Sequence, residues 1–253
     1  DVGKKRQINQ DCVDISVTPV GNLPNLLLLA DGMGGLAKGE EASFHVSSVI
    51  KSWFESLSID NLGHLHELYI DDKLTTIIKL MQEKILPPNC GTTLNMSIIG
   101  PKKTFIVNIG DSRVYSIKNK NIELITRDDS MAFIMYHPRT SNQRDALRFY
   151  KDNNIISNCI TTGYLPVIVT KEIKNEEYDI LCHVTDGVSD ILAEKQINRY
   201  SQSKTPAQKL VESAVTSKIV YNDFYLPYDE AKFAKCISPK DNATALVYTK
   251  KRK

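Results

Sequence analysis

An aspartate stands at the end of an apolar, strand-like run at four places in this chain, each time beside Gly or Asn. The segments are Leu28-Leu29-Ala30-Asp31-Gly32, Val107-Asn108-Ile109-Gly110-Asp111-Ser112, His183-Val184-Thr185-Asp186-Gly187 and Asp241-Asn242-Ala243-Thr244. A fifth aspartate, Asp11, opens a strand after Asn9-Gln10. Carboxylates at strand ends can converge at one edge of a sheet. Packed closely, they repel one another and hold their protons unless a cation neutralises them. A donor set of oxygens alone, without His or Cys, suits Mg²⁺ or Mn²⁺ and not Zn²⁺. Taken singly, Asp-Gly is a common turn pair. The argument rests on the recurrence.

The runs between these points give the fold class. Cys12–Val17 and Asn25–Ala30 read as a hairpin around the turn at Gly21-Asn22. The second strand runs into Asp31-Gly-Met-Gly-Gly35, a sharp turn where backbone approaches something closely. Ala42, Val46, Val49, Ile50, Trp53, Phe54 and Leu57 recur at helical spacing. A second helix is predicted over His64–Ile85, and strands over Thr92–Ile99, Thr104–Ile109, Arg113–Ile117 and Ile122–Thr126. Ser130–Asp152 is polar and helical in parts. Strands follow at Val167–Ile173 and Asp179–Thr185, then a helix opened by Thr205-Pro206, then a last strand at Ala243–Tyr248. Strands and helices do not alternate one by one, so the class is α+β with antiparallel sheets and helices outside them. There is no repeat or linker, and 253 residues fit one domain.

Composition removes several function classes. A formal net charge of +2 gives no footing for nucleic acid or a membrane surface. No apolar stretch approaches the roughly 20 residues that cross a bilayer, and no signal-peptide pattern opens the chain. Cys12, Cys90, Cys159, Cys182 and Cys236 are scattered and form no Cys-x-x-Cys pair, as expected of reduced thiols in the cytoplasm. The closing Lys250-Lys251-Arg252-Lys253 reads as a solvated tail. His64 and His66 read as surface residues, His45 as packed, His183 as a satisfied core histidine, and Arg113 as an ion-pair partner.

Six segments in order resemble the successive motifs of the type 2C, metal-dependent (PPM) serine/threonine protein phosphatases. They are Arg6-Gln-Ile-Asn-Gln-Asp11, Ala30-Asp-Gly-Met-Gly-Gly35 with Gly39-Glu40 and Ala42-Ser43, Gly91-Thr92-Thr93-Leu94, Gly110-Asp-Ser-Arg113-Val-Tyr115, Thr185-Asp-Gly-Val-Ser-Asp190 and Asp241-Asn-Ala-Thr244. The resemblance covers essentially the whole chain, and Met33 places it nearest the bacterial branch. It implies a β-sandwich of two antiparallel sheets flanked by helices (αββα), with two to three Mn²⁺ or Mg²⁺ ions at one end between the sheets. It implies one catalytic domain over 1–253, with a variable flap at about 130–162. Asp31 would bridge two metals, the Gly32 carbonyl would bind one of them, and Asp186 and Asp241 would hold the second. Asp11 would act through metal-bound water. Asp111 with Asp186 would hold a third ion, with Asp190 as an additional ligand. Arg6 would bind the phosphate, and a metal-bridging hydroxide would attack it. The substrate would be a phosphoserine or phosphothreonine protein, the opposing partner a Ser/Thr kinase, and the enzyme a cytoplasmic monomer.

Departures from the family pattern fall at Met33, where some members have a proton-donating His, at Gln10 in place of an acidic residue, and at Tyr150-Lys151 in place of a His-Pro pair. A metal-holding binding module without turnover and a nucleotide-directed metallohydrolase are the competing readings.

Overall fold

The computed structural model describes residues 1–17, 25–33, 38–58, 65–217, 219–220, 236–237, 239 and 241–250. The turn expected at Gly21-Asn22, the glycines 34 and 35, His64 and the basic residues 251–253 lie outside the described residues.

Two antiparallel sheets are stacked face to face. In chain order the elements of the first half are β1 (Asp11–Ser16), β2 (Asn25–Asp31), α1 (Gly39–Glu55), α2 (Glu67–Lys84), β3 (Gly91–Thr92), β4 (Leu94–Ile99), β5 (Lys103–Ile109), β6 (Arg113–Lys118) and β7 (Asn121–Leu124). Then come α3 (Met131–Tyr136), α4 (Ser141–Leu147), β8 (Ile160–Thr161), β9 (Val169–Lys174), a 3₁₀ turn (Asn175–Glu177), β10 (Ile180–Val184), α5 (Asp186–Ser189), α6 (Glu194–Ser201), α7 (Pro206–Thr216), β11 (Ile219–Val220), β12 (Cys236–Ile237) and β13 (Ala245–Thr249). One sheet runs β1-β2-β4-β5-β9, the other β13-β10-β6-β7, and every neighbouring pair in both is antiparallel.

The period-two alternation of the strands separates three cores. Leu26, Leu28 and Ala30 of β2, with Leu94, Met96 and Ile98 of β4, pack outward against Val46, Ile50 and Phe54 of α1 and Leu74 and Ile78 of α2. Leu27, Ile99, Ile106 and Ile173 face the other way and meet Val114, Leu181 and Leu246 of the second sheet. That sheet's outer face carries Tyr115, Cys182 and Val184 against Val188, Ile197, Leu210 and Ala214 of the C-terminal helices. Helix layers outside two sheets make the expected αββα sandwich.

Some boundaries shift for local reasons. The strand expected over Thr92–Ile99 is cut at Thr93: Gly91 and Thr92 pair with β8, while β4 pairs with β2 and β5. The second helix begins at Glu67 because His66 caps it, its Nδ1 accepting from the Tyr69 amide at 3.3 Å. Pro206 opens α7 as expected, but the Thr205 side chain makes no capping bond. Helix α6 has no counterpart in the sequence reading. Lys250, the first residue of the tail read as solvated, is half-buried and tied down: its Nζ donates to the Asn175 and Tyr178 carbonyls and lies 3.6 Å from the Tyr178 ring centroid.

Candidate functional site

Every aspartate singled out from the sequence lies at one end of the sandwich. Asp11 opens β1 and Asp31 closes β2, and the hairpin register sets them directly opposite each other. Asp111 sits in the turn between β5 and β6. Asp186 follows β10 as the first residue of α5, and Asp190 caps that short helix, its amide donating to the Asp186 carbonyl at 2.8 Å. Asp241 precedes β13, so it stands before a strand as Asp11 does, and not at the end of an apolar run as the sequence reading set it; Ser238-Pro239-Lys240 comes before it.

Backbone contacts fix this convergence. The Gln10 carbonyl accepts from the Gly32 amide at 3.0 Å and the Ser43 hydroxyl at 2.6 Å. The Gln10 amide donates to Asn242 Oδ1 at 2.8 Å, and Asn242 Nδ2 donates to the Val2 and Ile8 carbonyls. Thr93 clasps Asp31, its amide donating to the Asp31 carbonyl at 2.9 Å while its hydroxyl accepts from the Asp31 amide at 3.0 Å. Gly187 lies so near Asn242 that a Cβ there would meet the Asn242 carbonyl oxygen at 1.8 Å. Gly187→Ala must therefore push Asp186 and Asn242 apart. We expect it to lower stability by about 1–3 kcal/mol, read as a lower urea midpoint; an unchanged midpoint would mean that the turn yields freely.

The electrostatics are those of too much negative charge in too little water. Burial, then the charges of Asp11, Asp186, Asp111 and Asp241, hold the Asp31 carboxyl well above the usual carboxylate range. Burial, then Asp111, Asp190 and Asp241, does the same to Asp186. Burial pushes Asp111 up to about 8, aided by Asp128, and Asp190 up to about 6. Arg6 brings positive charge to the group, donating from Nε and Nη2 to the two oxygens of Asp241 at 2.9 and 2.7 Å. The residues expected to bind phosphate and metal separately are here bound to each other.

Among the described residues no three His, Cys, Asp or Glu side chains are gathered into a ready metal-holding group. The donors nonetheless fit a hard cation. Asp11 Oδ1, Asp111 Oδ1 and Asp186 Oδ1 are buried with no hydrogen-bond partner. A buried carboxylate oxygen left bare is costly, and a divalent cation is the partner that several such oxygens can share.

A pH dependence follows. Asp111 and Asp190 titrate higher in the folded chain than the ordinary 3.8. The metal-free folded state therefore keeps protons that the unfolded chain has released. That stabilising contribution is complete below about pH 4 and is lost as pH rises through the folded values. In EDTA the thermal midpoint should fall from about pH 5 to about pH 8, and saturating Mn²⁺ should flatten the profile. A level profile in EDTA would contradict the crowding.

Sequence reasoning missed several residues that shape the site. Asn153 donates from Nδ2 to both oxygens of Asp190, at 2.8 and 2.9 Å. Asp129 Oδ2 accepts from the Gly110 amide at 3.0 Å and from Asn158 Nδ2 at 2.7 Å. Asparagines in a polar segment carry no signal of this kind. Arg113, as expected, is an ion-pair partner, buried on Asp128 with its Nη2 2.6 Å from Oδ2.

Carboxylates gathered at one end of a sandwich, with one guanidinium among them, suit cations and an anionic substrate. Comparison with known proteins gives the family of the chain. The profile of the family Protein phosphatase 2C matches residues 3–220. The chain belongs to the protein phosphatase 2C family, whose members are metal-dependent hydrolases of phosphoproteins. It is similar to the protein phosphatase PhpP of Streptococcus pneumoniae, at 27% identity over 221 residues, covering 85% of this chain and 87% of that protein. It is similar to the serine/threonine phosphatase stp of Listeria welshimeri, at 24% over 226 residues, with 87% and 88% covered. Its fold matches the crystal structure of Stp1 from Staphylococcus aureus with a TM-score of 0.75 at 24% identity, over 100% of this chain and 93% of that one.

Proposed function

We propose that this chain removes phosphate from phosphoserine and phosphothreonine in proteins, with two to three Mn²⁺ or Mg²⁺ ions held by the strand-end aspartates, and so opposes a Ser/Thr kinase. The observation that carries the reading is the set of three buried, partnerless oxygens on Asp11, Asp111 and Asp186. The serine/threonine phosphatases named among its relatives support the choice of substrate.

Asp31 and the Gly32 carbonyl, with Asp11, Asp186 and Asp241, are assigned to the first two ions. Asp111 and Asp190, with Asp186, are assigned to the third. The ions would supply Lewis acidity toward the phosphoryl oxygens and lower the pKa of bound water. The chain's own residues supply position. Arg6 carries a planar fork that matches two phosphate oxygens as well as it now matches the two of Asp241. Asp241 takes the Nε and Nη2 edge; a guanidinium has five N–H donors, so the edge through Nη1 can meet a phosphate while Asp241 stays bound. Met33 has no proton to give a leaving alkoxide; water is a candidate donor in its place. The remaining assignments are one catalytic domain over 1–253 with a flap at about 130–162, a monomer, and a cytoplasmic setting. The last is supported by the free thiols Cys12, Cys90, Cys159 and Cys182 and by the lack, among the described residues, of a helix long and apolar enough to cross a membrane.

The test is hydrolysis of p-nitrophenyl phosphate and of phosphopeptides by wild type and Arg6→Ala, in EDTA, Mg²⁺ or Mn²⁺. We expect turnover only with added metal. For Arg6→Ala we expect KM raised about tenfold to a hundredfold, the worth of lost hydrogen bonds to a charged group. An unchanged KM would remove Arg6 from phosphate binding. Metal binding without turnover on any phosphopeptide would make the chain a binding module, and preference for nucleotides would make it a different hydrolase.

A further inference from the structure

The interior between the two sheets is not uniformly apolar. On β4, Asn95 and Ser97 share the face that β2 and β5 fill with Leu27 and Ile106, and Asn108 of β5 stands directly across from Asn95. His183 reaches them from β10 of the other sheet. All four are buried, at 2% exposure or less.

These side chains form one directional chain of hydrogen bonds. Asn108 Nδ2 faces two acceptors, the Gly110 carbonyl at 3.0 Å and the Arg127 carbonyl at 3.1 Å. Its Oδ1 is thereby turned to Asn95 Nδ2, which donates to it at 2.8 Å. Asn95 Oδ1 is left to accept from His183 Nδ1 at 2.6 Å. The imidazole then carries its proton on Nδ1 and accepts from Ser97 Oγ at Nε2, 2.9 Å away. Burial pushes the ring's pKa down to about 3, so it stays neutral and keeps one tautomer at any working pH. Asn95 Nδ2 also faces the Ser112 carbonyl at 3.3 Å.

The chain thus ends on the carbonyls of Gly110 and Ser112, the two neighbours of Asp111. Asp111 Oδ1 has no partner of its own. Its aim is set by the backbone on either side. Well-packed apolar residues of similar volume commonly stabilise a core as well as buried polar ones do. These polar side chains do impose a single geometry. We propose that His183 is a positioning residue for the phosphatase site: through Asn95 and Asn108 it fixes the turn that aims the Asp111 carboxylate at a cation.

This rests on the reading of Asp111 as a metal ligand. The test is calorimetric titration of the metal-free full chain with Mn²⁺, comparing wild type, Asp111→Ala, His183→Leu and His183→Gln. The part of the isotherm that Asp111→Ala removes defines the Asp111-dependent site. We expect His183→Leu to weaken that site about tenfold or more, as losing an outer partner of a ligand does, and to leave the other sites unchanged. We expect His183→Gln, which can still donate to Asn95 and accept from Ser97, to keep near wild-type affinity. Should the Leu variant not fold, Asn95→Leu cuts the same chain one link further on and carries the same expectation. An Asp111→Ala isotherm identical to wild type would overturn the metal reading and this proposal with it. An Asp111-dependent site that His183→Leu leaves untouched, or that His183→Gln weakens equally, would overturn only the role of His183.

Discussion

Asp186→Ala should lose essentially all metal-dependent phosphatase activity, with kcat falling about a thousandfold or more. Asp186 is the shared member of the proposed ligand set, and its charge is felt by Asp31 as Asp31's neighbours are felt by it. A cation that stabilises developing charge contributes several kcal/mol to the transition state, and about 4 kcal/mol is three powers of ten in rate. The control is stability in EDTA. Asp186 is crowded by Asp111, Asp190, Asp241 and Asp11, so removing it relieves repulsion. The chelated variant should unfold no earlier than chelated wild type. Lost activity with an intact fold isolates the chemistry. Full activity in the variant would contradict the whole assignment.

Arg113→Ala should be the most damaging single change to stability. Arg113 and Asp128 are 2% and 3% exposed. The guanidinium donates from Nε and Nη2 to Asp128 and from Nη1 to the Tyr115 hydroxyl at 3.2 Å. Truncation strands a buried carboxylate, a loss of about 3–5 kcal/mol. For a chain of this length that lowers the thermal midpoint on the order of 10 °C. Replacing both partners by apolar residues should restore much of it, because the stranded charge and not the missing pair causes the loss. A double variant as unstable as the single one would place the cause in packing around Phe133, whose ring centroid lies 5.4 Å from the guanidinium.

The sequence made the strands of the sandwich and the carboxylates at their ends legible for one shared reason. Leu26–Ala30 and Phe105–Ile109 are apolar runs that stop at Gly-flanked aspartates, because a buried strand must be apolar and a charged side chain must stand where the buried run ends. Boundaries decided by pairing were not legible: Thr93 ends β3 because Gly91 and Thr92 turn to β8, a partner about seventy residues away. Helix α6 was missed because its face holds only Ile197 as a fully buried apolar residue. Asn153 and Asn242 shape the site through side-chain amides that look like turn residues in a sequence. His183 was read as a satisfied core histidine, and it is one, but its partners Ser97 and Asn95 lie on another sheet.

The site is stitched from the two extremes of the described chain. Asp1 exchanges hydrogen bonds with Ala243, Arg6 with Asp241, and Gln10 with Asn242, across separations of 232 to 242 residues. On a ribosome adding about 5–20 residues per second, Asp11 and Asp31 wait on the order of ten seconds or longer for Asp241. A nascent chain that stalls short of residue 241 carries most of the carboxylates but lacks the strap that holds residues 1–10 in place. Chains that end before residue 241 lack Asp241 and this strap together, and we expect them to show no metal-dependent turnover.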